Sequence, residues 1–437
     1  MTLNRIYIKD LSQDMDNKDV VIAGWAQEIR DLKKIKFILL RDRTDSVQCV
    51  AMPKEMDNKS FEDISNVTKE SVLEIQGVLK KSEQAKKGFE IVVKKMILLS
   101  RAEPLPIDIS GKIETGLDKR LDFRWLDTRR PEINAIFKVR SEIFAASVDF
   151  FHKNGFVNIN TSKMTAIGVE SGAELFEIKY FAKKLFLAQS PQVYKEMFVG
   201  GGFEKVYEIA PVFRAEKHHT NRHLCEFTGI DFEMGFIKDE NDVMDVIEDL
   251  IIHILKWIKE KCKKELAMFK QKTEIPEKIP RVPMELCKKY LAEKGKELPE
   301  DEDFDSEAEK IMGSIAREKF GTDFIFVTRY PFKVRPFYHM KPEDDANSTK
   351  SFDLLWKGME ICTGAQREHR HDVLKSQAKQ KGIDFDKMPD YANIFKWGMP
   401  PHGGVGFGLD RIVLLFLGLN NVREAVLLPR DPERIKP

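Results

Sequence analysis

The chain is short of the features that mark several large protein classes. Its five cysteines (Cys49, Cys225, Cys262, Cys287 and Cys362) are far apart, odd in number and include no C-x-x-C pair. That excludes a disulfide framework and a cysteine-rich zinc site, and it suits a reducing, cytoplasmic setting. No apolar run approaches the length of a membrane span; IVLLFLGL is typical of the longest. The opening MTLNRIYIKDLSQDMD has no hydrophobic block and reads as neither signal nor transit peptide. Charge of one sign is also lacking: 72 Lys and Arg against 71 Asp and Glu leave +1, so any polyanion must be held by local patches. Low-complexity tracts and internal repeats are missing as well.

What is present is an ordinary globular balance, 42% apolar and 33% charged, over 437 residues, a length that implies two or more domains. From Asp19 to about Leu99, VVIAGWAQEI, KFILLRD, SVQCVAM, SVLEIQGVL and GFEIVVKKMILL read as five short strands separated by polar or glycine-containing turns. Five strands in so short a span suggest an OB-fold barrel, a fold with a nucleic-acid habit. Residues 104–131, rich in proline and charge, read as a hinge between a domain of residues 1–103 and one of 132–437. Beyond it, residues 133–153 and 241–266 carry helical periodicity, and FVNIN, LFLA, VYEIAPVF, GIDFEMGF, FIFVTRYPF, RPFYHM and FDLLWKGMEICTG carry strand signals. Residues 275–320 are charged and weakly patterned, and read as a helical insertion. The fold class expected is therefore α+β, a barrel followed by a domain of strands and helices.

Two segments carry chemistry. FRAEKHHTNRHLCEF, Phe213 to Phe227, reads as two antiparallel strands around a polar loop, with Arg214 and Glu216 on one face and Phe227 returning near them. Arginine offers paired donors to a phosphate, a carboxylate can accept from an exocyclic amine, and a phenyl ring can support a base. In GGVGFGLDR, the glycines at 404, 406 and 408 alternate along a strand, so a planar ligand could lie against the backbone, with Arg411 following on a helix. Alone, the first segment also fits a solvated hairpin and the second a tightly packed strand. The glycine spacing matches neither the dinucleotide fingerprint nor a P-loop.

Together the two segments resemble motifs 2 and 3 of the class II aminoacyl-tRNA synthetases. LDFRWLDTRRPE, ESGAELF, LAQSPQVYKEM, YEIAPVFRAE, RHLCEFTGIDFEM, GMEICTGAQREHRHDVL, GMPPHGGVGFGLDR and LPRDPERIKP extend the likeness over the whole chain, to the aspartyl-tRNA synthetases of archaeal and eukaryotic type within subclass IIb. The resemblance implies a class II catalytic domain, an antiparallel sheet flanked by helices, and ligation of L-aspartate to tRNA(Asp) through an aspartyl-adenylate. ATP would be substrate, Mg2+ the metal, and the protein a homodimer with no membrane association.

By the same resemblance, Arg214 would hold the α-phosphate, Glu216 read the adenine amino group, Arg222 hold the γ-phosphate, and Phe227 and Arg411 sandwich the adenine. His223, Glu360 and Gly408 complete the ATP set, and Arg214, Arg222 and Arg411 would act in catalysis. Asp353, Glu360 and Thr363 would bind magnesium, oxygen ligands suited to a hard cation. Lys195 and Arg367 would face the substrate's side-chain carboxylate, balanced by Asp231, while Glu170, Ser190 and Gln192 hold the α-amino end and Thr363 and Gly364 line the same pocket. Two buried cations reject asparagine, which leaves them without a counter-charge. In the barrel, Arg30, Phe37, Gln48 and Glu90 align with anticodon-reading positions; on pattern alone Phe37 could equally be core, alongside Ile35 and Leu39.

The sequence departs from the family at Ser162, where proline is usual in motif 1, at Ser171 for glycine, and at Asp410 for glutamate; Lys217, His218 and His219 are unusually basic. Two rival readings stand beside the main one. The first is an enzyme that also charges tRNA(Asn), for which Gln27 and Lys86 give a mixed signal. The second is a non-catalytic RNA-binding paralogue.

Overall fold

The computed structural model describes residues 5–32, 34–56, 58–166, 175–217, 220–270 and 272–437. Their contacts divide the chain into two compact units, Met1–Asp108 and Ile109–Pro437.

In the first unit, β1 (Asp19–Asp31), β2 (Lys36–Arg41), β3 (Ser46–Ala51), β4 (Val72–Lys81) and β5 (Phe89–Ser100) close into a barrel in the order β1-β2-β3-β5-β4. These are the five strands expected. Alternation sends Ile22, Ile38, Leu40, Cys49, Ile75, Leu79 and Ile91 inward, each fully buried. β1 is long enough to pair with β2 at one end and β4 at the other. Closure leaves no unpaired sheet edge.

The second unit is built on an eight-stranded sheet, ordered β12-β13-β14-β15-β16-β11-β10-β6. Its strands are β6 (Val157–Asn158), β10 (Lys205–Phe213), β11 (Glu226–Gly235), β12 (Arg281–Pro283), β13 (Phe324–Thr328), β14 (Ser351–Trp356), β15 (Met359–Gln366) and β16 (His402–Gly408). All neighbours are antiparallel except β12 with β13 and β10 with β6. A separate three-stranded sheet holds β7 (Met164–Thr165), β8 (Glu177–Tyr180) and β9 (Lys183–Leu187).

The helices Pro131–Lys153 and Glu240–Lys261 cover one face of the large sheet, burying Ile136, Val139, Ile143, Ile247, Ile251 and Ile254 against Phe232, Val405 and Phe407. The first starts with proline at its first turn and stops before Gly155, whose φ is +75°. The second is capped by Asp239, whose side chain accepts from the Asn241 N–H at 2.8 Å. Residues 275–320 contain two helices, Met284–Glu293 and Ser306–Phe320, with a small core of their own against β13. They also supply β12, which the charged composition concealed.

Two segments differ from the sequence reading. RPFYHM is not a strand: Pro336 has no N–H to give, and only His339 makes an isolated bridge, to Arg367. Within residues 104–131, Leu117–Asp122 and Arg124–Asp127 are helical. The Arg124 guanidinium is buried there against Asp127 at 2.9 Å and the carbonyls of Glu424 and Val426 at 2.7 and 3.2 Å, partners that offset the cost of burying a cation.

Candidate active site

Register places the chemistry. Asp353 pairs with Thr363, Thr363 with Gly406, Gly406 with Asp231 and Asp231 with Glu208, so five strands contribute one transverse row to the same face of the sheet. The next row in one direction runs Ala365, Gly404, Glu233; in the other, Gly408 faces Gly229. A side chain at Gly404 would meet the Phe232 carbonyl oxygen at 2.1 Å and Glu233 Oε2 at 2.3 Å, and one at Gly406 would meet Asp231 Oδ1 at 3.0 Å. The alternating glycines therefore make room chiefly for two carboxylates. The bare floor foreseen along all three is confined to Gly408, since Asp231 Oδ2 also lies 2.8 Å from where a side chain at Gly229 would begin. Gly364 falls on the other face, where the Phe352 ring fills the space a Cβ would need. It does not line the cavity, because strand alternation separates it from Thr363.

A cavity of about 390 Å³ opens over this face. Arg214, Glu216, Arg222, His223, Phe227, Gly408, Arg411 and Glu360 line it together with Ser190, Gln192, Asp231, Thr363 and Arg367. Residues nearly two hundred apart thus share one cavity. Arg214 and Glu216 sit just beyond the end of β10, in the loop that leads to β11. The ring of Phe227 carries the Arg214 guanidinium, 5.3 Å from its centroid, while Arg411 turns to the Glu360 carbonyl at 2.8 Å and carboxylate at 3.6 Å. The loop 214–225 is held from the far end of the chain. Cys225 N–H donates to the Arg430 carbonyl at 2.8 Å, Val422 N–H to the Asn221 carbonyl at 2.9 Å, and Arg423 to the Thr220 carbonyl at 3.2 Å. Burial and the nearby Arg411 hold His223 below the ordinary histidine pKa, so it presents a neutral ring.

Beside the row lies a closed ionic cluster. Lys195, 1% exposed, reaches Asp231 at 3.1 Å, Glu233 at 3.4 Å and the Val405 carbonyl at 2.9 Å. Arg367 donates to Glu233 at 3.0 Å, Gln192 at 3.2 Å and the Gly404 carbonyl at 3.1 Å. Burial would raise the Glu233 carboxyl, but Arg367 and Lys195 more than reverse that, and it lies below the usual carboxylate range. Two cations meet two carboxylates, so the cluster is formally neutral and gains a net negative charge if an anion joins it. Behind it, Glu196 accepts from Gln192 at 2.5 Å and Tyr391 at 2.8 Å and pairs with His402 at 3.3 Å, fixing the amide that Arg367 uses.

Asp353 does not line the cavity. It is 4% exposed and bonded to Arg335, yet its Oδ1 has no partner among the described residues. Burial pushes its carboxyl up to about 7, with Glu360 adding to that against the opposing Arg335. Burial would raise the Glu360 carboxyl as well, but Arg411, Arg335 and Arg214 outweigh it and hold it low; Thr363 donates to it at 3.3 Å. An unpartnered buried carboxylate oxygen close to a second carboxylate and a hydroxyl fits a hard cation, which would relieve the charge that burial disfavours. Among the described residues no group of three or more His, Cys, Asp or Glu is placed to hold a metal ion by itself.

Residues 116–432 match the family model for tRNA synthetases class II (D, K and N), and residues 20–99 match that for an OB-fold nucleic acid binding domain. The chain belongs to the class II tRNA synthetases. Among its relatives are an aspartate–tRNA(Asp) ligase of Pyrococcus abyssi, 43% identical over 99% of both chains, and an aspartate–tRNA(Asp/Asn) ligase of Methanopyrus kandleri, 42% identical over the whole of both. Among solved structures, the asparaginyl-tRNA synthetase of Pyrococcus horikoshii complexed with asparaginyl-adenylate superposes with a TM-score of 0.94 at 31% identity, covering all of both chains.

In this class II synthetase the barrel residues singled out from sequence share one outer surface. Arg30 pairs with Phe37 across β1 and β2, Gln48 pairs with Leu39 on β3, and Gln48 donates to Glu90 at 2.8 Å. Phe37 is partly exposed and stands outside the barrel core that Ile38 and Leu40 enter, which removes the core reading. Glu170, with Ser171, His218 and His219, lies outside the described residues. Sequence reasoning missed Glu233. Its signal was available, since D-x-E in GIDFEM repeats at the same spacing as the glycines that face it.

Proposed function

We propose that the chain activates L-aspartate with ATP and transfers it to tRNA(Asp), its cavity holding the triphosphate at the arginine-rich end and the amino acid at the ionic cluster. The observation that carries this reading is the cluster itself: Arg367 and Asp231 line the cavity, and Lys195, which does not line it, is buried in contact with Asp231 and with the Glu233 that Arg367 also holds. Because Asp231 and Glu233 already balance the two cations, an entering carboxylate would be selected by charge-assisted hydrogen bonds from the cationic donors, which the NH2 of an amide cannot accept. Ser190, Gln192 and Glu170 would receive the α-amino end, with Thr363 beside them.

The α-carboxylate attacks the α-phosphorus and pyrophosphate leaves, a displacement that asks the protein mainly for alignment and charge. Arg214 would hold the α-phosphate and Arg222 the γ-phosphate. Phe227 and Arg411 would take the adenine between them, Arg214 leaving the ring for the phosphate, while Glu216 accepts from its amino group and Gly408 gives it a floor. Magnesium, held by Asp353, Glu360 and Thr363, would supply positive charge to the phosphate oxygens. The tRNA then takes the aspartyl group on its terminal adenosine.

The barrel, about residues 1–103, would read the anticodon through Arg30, Phe37, Gln48 and Glu90, with residues 104–131 leading into a catalytic domain from 132 on. A cytoplasmic homodimer is the proposed working form. Support comes from Phe144 and Val157, 43% and 40% exposed on the helix Pro131–Lys153 and the edge strand β6, and from five buried free cysteines.

Aspartate-dependent exchange of pyrophosphate into ATP tests the activation step. Pure protein that gave no exchange would return the chain to the non-catalytic reading. A second reading, charging of tRNA(Asn) as well, is favoured by the presence of both named types among relatives of equal similarity. Parallel charging of the two tRNAs decides it, equal rates establishing the broader enzyme.

A further inference from the structure

The helix Ser306–Phe320 belongs to the insertion, a part of the chain with no sequence motif, yet its first turn touches the nucleotide loop. Glu309 pairs with Arg222 Nη2, and Ser306 Oγ accepts from Arg222 Nη1 at 2.5 Å, across sequence separations of 87 and 84 residues. The same Glu309 carboxylate accepts from the Glu360 backbone N–H at 3.4 Å. It is 9% exposed, and Arg222 is itself mostly covered. A guanidinium has two bidentate edges, one formed by its terminal nitrogens and one by Nε with a terminal nitrogen. The helix occupies the first. On the second, Arg222 Nε is buried without a partner among the described residues, although Arg222 lines the cavity.

From this we propose that Glu309, assisted by Ser306, is a positioning residue for nucleotide activation: it grips the terminal edge of Arg222 so that the Nε edge stands ready for the outermost phosphate before ATP enters. This rests on the assignment of Arg222 to that phosphate. Without the grip a long side chain samples several rotamers, and ATP must order it on binding. The second contact, to the backbone of Glu360, ties the same carboxylate to the strand that carries a candidate cation ligand. One side chain of the insertion therefore sets the spacing between the arginine and that strand. The insertion acquires a task, which is to brace the phosphate end of the cavity from outside the sheet.

The test is pyrophosphate exchange with Glu309→Gln, Ser306→Ala, Arg222→Ala and the double variant Glu309→Gln/Arg222→Ala, each checked for cooperative melting. KM for ATP should rise about tenfold in Glu309→Gln and about two- to threefold in Ser306→Ala, with KM for aspartate unchanged. Adding Glu309→Gln to Arg222→Ala should change KM for ATP by less than about twofold, because the grip has nothing left to hold. An unchanged or lowered KM for ATP in Glu309→Gln, or a full tenfold effect persisting in the double variant, overturns the proposal while leaving Arg222 in its role. If Arg222→Ala itself leaves KM for ATP unchanged, the assignment of Arg222 fails and the proposal falls with it. Should Glu309→Gln not fold, Ser306→Ala carries the same comparison.

Discussion

Replacing Lys195 with methionine isolates charge at the amino-acid end, because methionine keeps the length of the stem. In the intact cluster Lys195 and Arg367 balance Asp231 and Glu233. After Lys195→Met, Arg367 alone opposes two buried carboxylates, and an aspartate side chain would bring a third negative charge. Breaking a buried ion pair by removing one partner costs about 3–5 kcal/mol, so the variant should melt earlier, and more so at high pH where neither carboxylate can take up a proton. A hydrogen bond to a charged group is worth about 1.5–3 kcal/mol, which at 1.36 kcal/mol per decade is a rise of roughly 10- to 150-fold in KM for aspartate. KM for ATP should stay near the wild-type value, since the nucleotide residues lie elsewhere in the cavity. Steady-state pyrophosphate exchange, with each substrate varied in turn, measures both. A cooperatively folded Lys195→Met protein whose KM for aspartate lies within twofold of wild type would show that the pocket has been placed wrongly. Equal rises in both KM values would reduce Lys195 to a structural part.

Arg214→Ala should lower aspartate-dependent exchange by at least about 100-fold and leave tRNA binding, measured by filter retention, nearly intact; wild-type exchange would remove Arg214 from the α-phosphate. Phe37→Ala should weaken tRNA binding by about 1–3 kcal/mol without touching exchange, and a loss of exchange instead would place the ring in the fold rather than the interface. His402 is buried, which disfavours its charge, but Glu196 raises its pKa above the ordinary histidine value. A folded pKa above the unfolded one gives stability that is full below about pH 6.5 and fades as pH rises through the folded value. The urea midpoint should therefore fall on going from pH 6 to pH 9, and this component of the fall should vanish in His402→Gln; an identical slope in that variant would sever the link.

Much of this was legible in the residues, and the exceptions have physical causes. The barrel could be read because alternation in KFILLR and SVQCVA reports which side chains face inward, and register follows once the barrel closes. The convergence of Phe227 and Arg411 on one cavity followed from the pairing of two motifs, and the structure brings them together. Glu233 was overlooked because a buried acid between two cations looks, in one dimension, like any acid in a strand. The role of the glycines was only half seen: a bare backbone invites a planar ligand, but the cross-strand carboxylates that claim the space belong to β11 and can be placed only by register. Arg214 rests on Phe227, where Arg411 was expected, and Arg411 is instead held by the Glu360 carbonyl and carboxylate. The grip of Ser306 and Glu309 on Arg222 has no periodic signature at all, since it joins two loop-proximal groups through space.

The hydrogen bonds that run from residues 421–430 back to the loop 214–225 have a bearing on synthesis. On the ribosome, the loop that would receive ATP is translated some two hundred residues before the backbone that holds it. A nascent chain released after that loop but short of Asn421 would own every side chain of the loop and, even with Glu309 on Arg222, would lack the partners of Thr220, Asn221 and Cys225. Catalytic competence would then arrive in the last moments of elongation, so that stalled or prematurely terminated products stay silent instead of charging tRNA poorly.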